Sequence, residues 1–146
     1  MIVTFCGHSH FFSTTEYKNK LISILEKKIG DSSAELYLGG YGEFDSFCYA
    51  CCKEYQQDHP LVRLVYVTPY LKIDPIYEKN YDSVIYPALE DKPKRYAISY
   101  RNKYMVEKAD LIIAYINHDW GGAYKTYEYA MRKSKRIINL YDIKSE

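Results

Sequence analysis

A Rossmann-like α/β fold, doubly wound, with a mostly parallel sheet of about five strands and helices on both faces, is what the order of hydrophobic patterns predicts. Three observations carry it. Short β-branched, apolar runs alternate with amphipathic stretches of helical period along the chain. The strand runs are apolar along much of their length, as strands covered on both faces are. Six of the seven glycines fall in three loops that directly follow strand runs, the edge at which open parallel sheets bind ligands.

Taken in order, "IVTFC" (Ile2 to Cys6) reads as a strand that breaks at Gly7. "FFSTTEYKNKLISILEKKIG" reads as a helix: Ser13 with Glu16 forms a capping box, and Tyr17, Leu21, Ile24, Leu25 and Ile29 share a face. "AELYLGG" is a second strand ending at Gly39 and Gly40. A helix from about Phe44 to Gln57 follows, with Phe44, Phe47, Cys48, Cys51 and Tyr55 on one stripe, and then the strand Leu61 to Thr68. The segment Pro69 to Lys94 holds four of the five prolines and Tyr70, Tyr77, Tyr81 and Tyr86. A loop that long inside a compact domain is usually functional or disordered, and its aromatic content predicts an ordered flap. A helix from about Arg95 to Lys108, the strand Asp110 to Ile116, a glycine turn, a helix to about Lys133 and the strand "RIINLY" complete a single domain over residues 1–146.

Bulk composition narrows the classes. The chain has 146 residues, 47% apolar and 27% charged, with a formal net charge of +1. That balance offers no basic surplus for extended duplex binding, so nucleic acid is not the expected partner. No apolar run approaches the ~20 residues that span a bilayer. "MIVTFCGHSH" lacks a basic region and a long apolar core, so no signal peptide and a cytoplasmic setting are expected. Cys6, Cys48, Cys51 and Cys52 fit no secreted disulfide framework. "CYACC" has no second ligand cluster, so buried helix thiols are expected rather than a metal site. No cofactor is implied. The 18 tyrosines suit ligand clefts and interfaces.

The loops at the carboxyl edge differ in chemistry. "WGGAYKT" places Gly121 and Gly122 at a strand-to-helix turn, followed by Lys125 and Thr126. This is either a tight turn or an anion seat, since glycines admit close approach and a helix start presents unpaired N–H groups. "GGYGEFD" sets Gly39, Gly40, Tyr41 and Gly42 before Glu43 and Asp45, acids that complement the macrodipole or accept from ribose hydroxyls. A nucleotide fits the pair, phosphate on the first loop and sugar or base on the second. Gly7 and His8 end the first strand, and Trp120, Tyr41, Tyr124 and Tyr127 are candidates for stacking on a base. His8 and His10 are a weak metal pair, and His59 falls at the opposite end of the sheet. Arg101 lies on or beside the apolar stripe of its helix and needs a partner: a phosphate, a carboxylate such as Glu128, or solvent.

"ISYRNKYMVEKADLIIAYINHDWGGAYKTYEYA" resembles the SLOG superfamily, which contains the Lonely Guy phosphoribohydrolases and the DNA-processing Smf proteins. Lonely Guy enzymes carry an R-K-x-x-M helix, an A-D-x-x-I-x-L strand and then P-G-G-x-G-T-x-x-E. Arg101 and Met105 stand at the matching spacing, Ala109 and Asp110 begin the strand, and Gly121, Gly122 and Thr126 match the loop. "WGGAYKT" departs from the pattern: it is one residue longer, without the proline or the third glycine. Tyr129 stands where the family has its catalytic glutamate, and Glu128 sits one residue early, about 100° around a helix. "GGAYKTYEYA" is also similar to the helix start of deoxyribosyltransferase-like enzymes.

The resemblance implies a nucleotide or ADP-ribose-type ligand, cyclic forms included, held by a sensor or sequestering protein. Gly121, Gly122, Lys125, Thr126 and Arg101 would hold phosphate. Gly7, His8, Gly39, Gly40, Tyr41, Gly42, Asp45 and Trp120 would receive sugar and base. The alternative is an enzyme cleaving an N-glycosidic bond of a nucleoside monophosphate, with Glu128 and Arg101 as its catalytic residues and Asp45 as the reserve carboxylate. By analogy with related domains a homodimer is expected.

Overall fold

A computed structural model describes residues 1–142; the last four positions of the expected domain lie outside the described residues. Six strands form one sheet: β1 (Ile2–Gly7), β2 (Ala34–Leu38), β3 (Val62–Val67), β4 (Ser83–Ile85), β5 (Leu111–Tyr115) and β6 (Ile137–Asn139). Every pairing is parallel and the order is β4-β3-β2-β1-β5-β6. The Rossmann-like, doubly wound expectation is therefore met, with six strands where about five were expected.

Five helices connect the strands: α1 (Thr15–Lys28), α2 (Glu43–Gln57), α3 (Ile76–Asn80), α4 (Ala97–Lys108) and α5 (Gly122–Arg132). Side chains alternate across a strand, and both faces are covered. Val3 and Phe5 of β1 and Leu111 and Ile113 of β5 pack in the large core with Leu21, Leu25, Phe44 and Cys48 of α1 and α2. Cys6, Ile112 and Ala114 face the opposite way, against Val106 of α4 and Ala130 of α5. The two faces are unequal. On the α4–α5 side β1 and β5 offer the short Thr4, Cys6 and Ala114, which leaves room above the sheet for a cleft.

Several local expectations shift. Thr14, not Ser13, caps α1: its side chain accepts from the Tyr17 N–H at 3.1 Å, which takes Glu16 out of the third helical position that a capping box uses, and Glu16 pairs with Lys20. The segment from Pro69 to Lys94 is ordered, as expected, and none of its residues lines the cleft at the carboxyl edge. It builds α3 and β4, extending the sheet beyond β3. Tyr77 anchors it by stacking flat on Tyr66 of β3, with centroids 3.9 Å apart. Cys48, Cys51 and Cys52 are buried free thiols on α2, and His59 pairs with Glu26 at 2.9 Å. Among the described residues no helix is long and apolar enough to cross a membrane.

The chain winds outward from β1 through β2 and β3 to β4, then returns to place β5 on the other side of β1. The order reverses between β1 and β5, and the crevice outside their carboxyl ends is where such sheets bind ligands. His8 follows one of these strands and the loop from Asn117 to Gly121 follows the other.

Candidate functional site

A cleft of about 360 Å³ opens at that crevice, at the lower end of the ~300–1,000 Å³ typical of small-molecule sites. Thr4 and Cys6 of β1 form part of its floor, α4 contributes Arg101, Asn102 and Met105, and the start of α5 closes one side with Gly121, Gly122 and Ala123. His8, Tyr41, Asp45 and Trp120 also line it.

The start of α5 is an open part of the wall. Gly121 has φ +92°, a conformation that a side chain would strain, and it caps the helix without a side-chain hydrogen bond. The first turn carries no acidic residue, so the leading N–H groups keep their partial positive charge without an intrahelical acceptor. A Cβ placed on Gly122 would meet nothing within 4 Å, so no packing contact of the protein accounts for glycine there. The Cys6 thiol donates to the Ala123 carbonyl at 3.2 Å, fastening this turn to β1. Burial pushes that thiol up to about 12, with Asp45 adding to the shift, so it stands protonated.

Arg101 is 2% exposed. Its Nη1 donates to the Gly39 and Val67 carbonyls, each at 2.8 Å, and its Nε donates to Asn102 Oδ1 at 2.9 Å. The guanidinium thus joins the carboxyl ends of β2 and β3 to α4. Nη2 makes none of these bonds, and the Arg101 side chain is one of those that line the cleft. The partner is therefore neither Glu128 nor solvent but backbone carbonyls, with one nitrogen left over. Burial lowers the pKa of Arg101 and the Asp45 charge raises it; an arginine stays protonated regardless.

Asn102 extends this chain of bonds. Its Nδ2 donates to Thr126 Oγ1 at 3.5 Å, and that hydroxyl donates to the Gly122 carbonyl one turn back at 3.1 Å. The Thr126 proton is thereby used within α5. Asn102 is not among the residues expected from sequence, because one amide on an amphipathic helix looks like a solvated position.

Asp45 is the carboxylate of the cleft. Burial raises its pKa to about 6, against the opposing effects of the Tyr41 N–H, which donates to Oδ2 at 2.9 Å, and of the Arg101 charge. His8 is 6% exposed and accepts at Nε2 from the Asn117 N–H at 3.2 Å. That bond assigns the proton to Nδ1, and burial, reinforced by His118, lowers the pKa and keeps the ring neutral.

The remaining site candidates sort by position. Gly7, Gly39, Gly40 and Gly42 do not open onto empty space: added Cβ atoms would strike Phe44 at 2.2 Å, the Arg101 guanidinium at 2.9 Å, Tyr66 at 2.8 Å and the Ser9 Cα at 2.9 Å. Of these four only Gly7 lines the cleft. Lys125 and Glu128 lie outside the lining. Tyr124 and Tyr127 are helical, not loop residues, and pack against the core under α5. Tyr129 turns to α4, where its hydroxyl donates to Glu107. No group of three or more potential metal ligands occurs among the described residues.

No protein-family model and no curated protein matches the sequence. Solved structures do match in fold. The X-ray structure of the structural-genomics target TM1055 superimposes with a TM-score of 0.60 at 14% identity, over 93% of this chain and 71% of that one. The DNA processing protein A from Helicobacter pylori, described with a single-stranded DNA binding mode, superimposes with a TM-score of 0.63 at 16% identity, over 94% of this chain and 63% of that one. At these identities the likeness is one of Rossmann-like architecture.

Proposed function

We propose that this chain is a SLOG-type receptor that holds a nucleotide or ADP-ribose-type small molecule, cyclic forms included, as a sensor or sequestering protein. The observation that carries the proposal is the uncapped, acid-free start of α5, with Gly122 in open space in the wall of the same cleft that Arg101 lines. A phosphate there receives backbone N–H groups and a charge-assisted bond from Nη2. Asp45 accepts from ribose hydroxyls, and the rings of His8 and Trp120 receive the base. Lys125, outside the lining, supplies long-range attraction only. A homodimer and a cytoplasmic setting belong to the same proposal; sedimentation of the purified protein tests the first.

Retention is favoured over cleavage because Glu128 is not in the cleft wall. Cleavage of an N-glycosidic bond needs a carboxylate at the anomeric carbon, and Asp45 is the one that lines the cleft. The test is incubation with AMP, other nucleoside monophosphates, ADP-ribose, NAD and cyclic ADP-ribose, read by thermal shift and by mass spectrometry of the recovered compounds. A shift with intact ligand supports the receptor. Free base with ribose phosphate replaces it by a hydrolase with Asp45 as its carboxylate. No shift with any of the panel overturns the proposal.

A second reading rests on one observation. The net charge of +1 hides a segregation: residues 92–136 carry eleven basic and four acidic side chains. Such a stretch, rich in tyrosine, suits single-stranded nucleic acid, the ligand named for the Helicobacter pylori neighbour. Binding of an oligonucleotide that weakens steeply with salt supports it.

A further inference from the structure

Three rings form a column along the cleft. His8 and His118 stack with centroids 3.5 Å apart and planes 11° from parallel, and His118 and Trp120 stand next at 4.0 Å and 31°. The three rings differ in burial and in hydrogen bonding. His8 is buried at the end of β1 and fixed by the Asn117 N–H. Trp120 stands at the rim, 69% exposed, just before the Gly121 cap. His118 lies between them in an irregular loop, and its one side-chain hydrogen bond among the described residues goes to its own neighbour, Asn117 Oδ1, at 2.8 Å. All three line the cleft. The two stacking steps leave between His8 and Trp120 a space one flat ring thick.

We propose that His118 is a resident plug in a nucleobase slot: it occupies the place that a planar heteroaromatic ring of the ligand takes between His8 and Trp120, and it turns out of the cleft when that ring enters. The inference rests on the nucleotide reading of the cleft for its ligand class. A base in the slot stacks on both sides, which offsets the two stacking contacts that His118 gives up. The His8 Nδ1–H, unused by any hydrogen bond among the described residues, supplies a donor at the inner end. Departure of His118 breaks a single bond to an adjacent residue and disturbs no core side chain. The slot begins beside Gly121, so a base held there and a phosphate on α5 belong to one small molecule.

Trp120 is the sole tryptophan of the chain, so its emission reports directly on the slot. Wild-type protein, His118→Ala and His118→Phe are titrated with adenine, AMP and inorganic pyrophosphate. Adenine and AMP are expected to change Trp120 emission and to bind His118→Ala roughly three- to tenfold more tightly than wild type, because no stacked ring has to leave. His118→Phe, which keeps a flat ring in place, shows no such gain, and pyrophosphate binds all three alike. Adenine and AMP binding His118→Ala no more tightly than wild type, or leaving Trp120 emission unchanged, overturns the plug. Failure of the phosphate seat looks different: pyrophosphate then binds no variant, while adenine still enters His118→Ala, and the slot stands without the nucleotide reading.

Discussion

Two helices at the carboxyl edge begin in nearly the same way. Gly42 starts α2 with φ +91° and ψ 168°, and Gly121 starts α5 with φ +92° and ψ 173°; neither helix has a side-chain cap at that residue. Their first turns separate them. At α2 the Glu43 N–H donates to the Ser9 carbonyl at 2.9 Å, Glu43 accepts from the Phe11 N–H at 3.0 Å, and Asp45 accepts from the Tyr41 N–H. Acids fill the first turn and the chain folds back over the helix end. At α5 the corresponding positions are Gly122 and Tyr124, with no acid and no covering chain. Nearly identical backbone geometry serves as a closed joint in one place and an open donor surface in the other. The difference lies in the few side chains placed beside the turn.

Arg101 stands between the two starts, bonded to Gly39 ahead of one and through Asn102 to Thr126 in the other. Its removal is the largest break. Arg101→Ala leaves the Gly39 and Val67 carbonyls without their donor and opens a void beneath the sheet edge. It is expected to cost about 3–5 kcal/mol in urea unfolding. A cost below about 1 kcal/mol, the size of one ordinary hydrogen bond, would show that the two starts are not joined through this residue.

Asp45 closes α2 yet faces the cleft that α5 opens onto, which makes pH a way to separate the two roles. Its folded pKa, about 6, lies above the 3.8 of an ordinary aspartate. The folded chain therefore holds the proton more tightly than the unfolded chain. The associated stability is fully present below 3.8 and is lost as pH rises through about 6. The loss amounts to at most about 3 kcal/mol over the whole window, about 1.4 kcal/mol of it between pH 5 and pH 7.5, and Asp45→Asn is expected to remove it, as urea unfolding at those two pH values would reveal. The same deprotonation places a negative charge beside the proposed phosphate seat. A phosphodiester probe, whose own charge does not change in this range, should bind wild type more tightly at pH 5 than at pH 7.5. In Asp45→Asn the two affinities should coincide.

How far the sequence alone makes this legible depends on what each residue has to do. The fold is legible because every long element carries its own periodic pattern, from Leu21–Leu25 of α1 to Ile112–Ala114 of β5. β4 is not: it is three residues at a sheet edge, within a segment whose prolines argue against a strand. The candidate cleft is half legible. Arg101 and the Gly121–Gly122 pair announce themselves because a cation on an apolar stripe and paired glycines after a strand each require an explanation. Gly7 and Gly39 look the same from sequence, but Gly7 yields to the Phe44 ring and Gly39 to the Arg101 guanidinium. A glycine that admits a ligand and one that admits a side chain differ only in three dimensions. Asn102 and His118 give no signal, because their significance lies in partners brought together by the fold.

The glycines themselves give the next contrast. Gly42→Ala puts a side chain at positive φ and within 2.9 Å of the Ser9 Cα. A loss of about 1–3 kcal/mol is expected, read as a lower Tm. Gly122→Ala meets no atom and replaces a poor helix former by a good one, so stability should hold or rise by up to ~1 kcal/mol. Its methyl group nevertheless projects where the proposed phosphate approaches the backbone. A variant that is more stable and binds a nucleotide as well as wild type would remove Gly122 from the site.

The smallest change asks whether the open start can be made into the closed one. Gly122 of α5 corresponds to Glu43 of α2, so Gly122→Glu introduces the acid that the first turn of α5 lacks. The negative charge meets the positive end of the helix and should stabilise the fold by about 0.3–1 kcal/mol at low salt. Salt should screen that gain away. Anion affinity should move in the opposite direction, because the new carboxylate competes for the same N–H groups and repels phosphate. A thermal shift upward in the bare variant, together with loss of the further shift that a nucleotide gives the wild type, is the expected pair of results. Were the variant stabilised and still bound nucleotide, the phosphate would have to rest on Arg101 alone, and the likeness between the two glycine starts would be one of geometry without functional consequence.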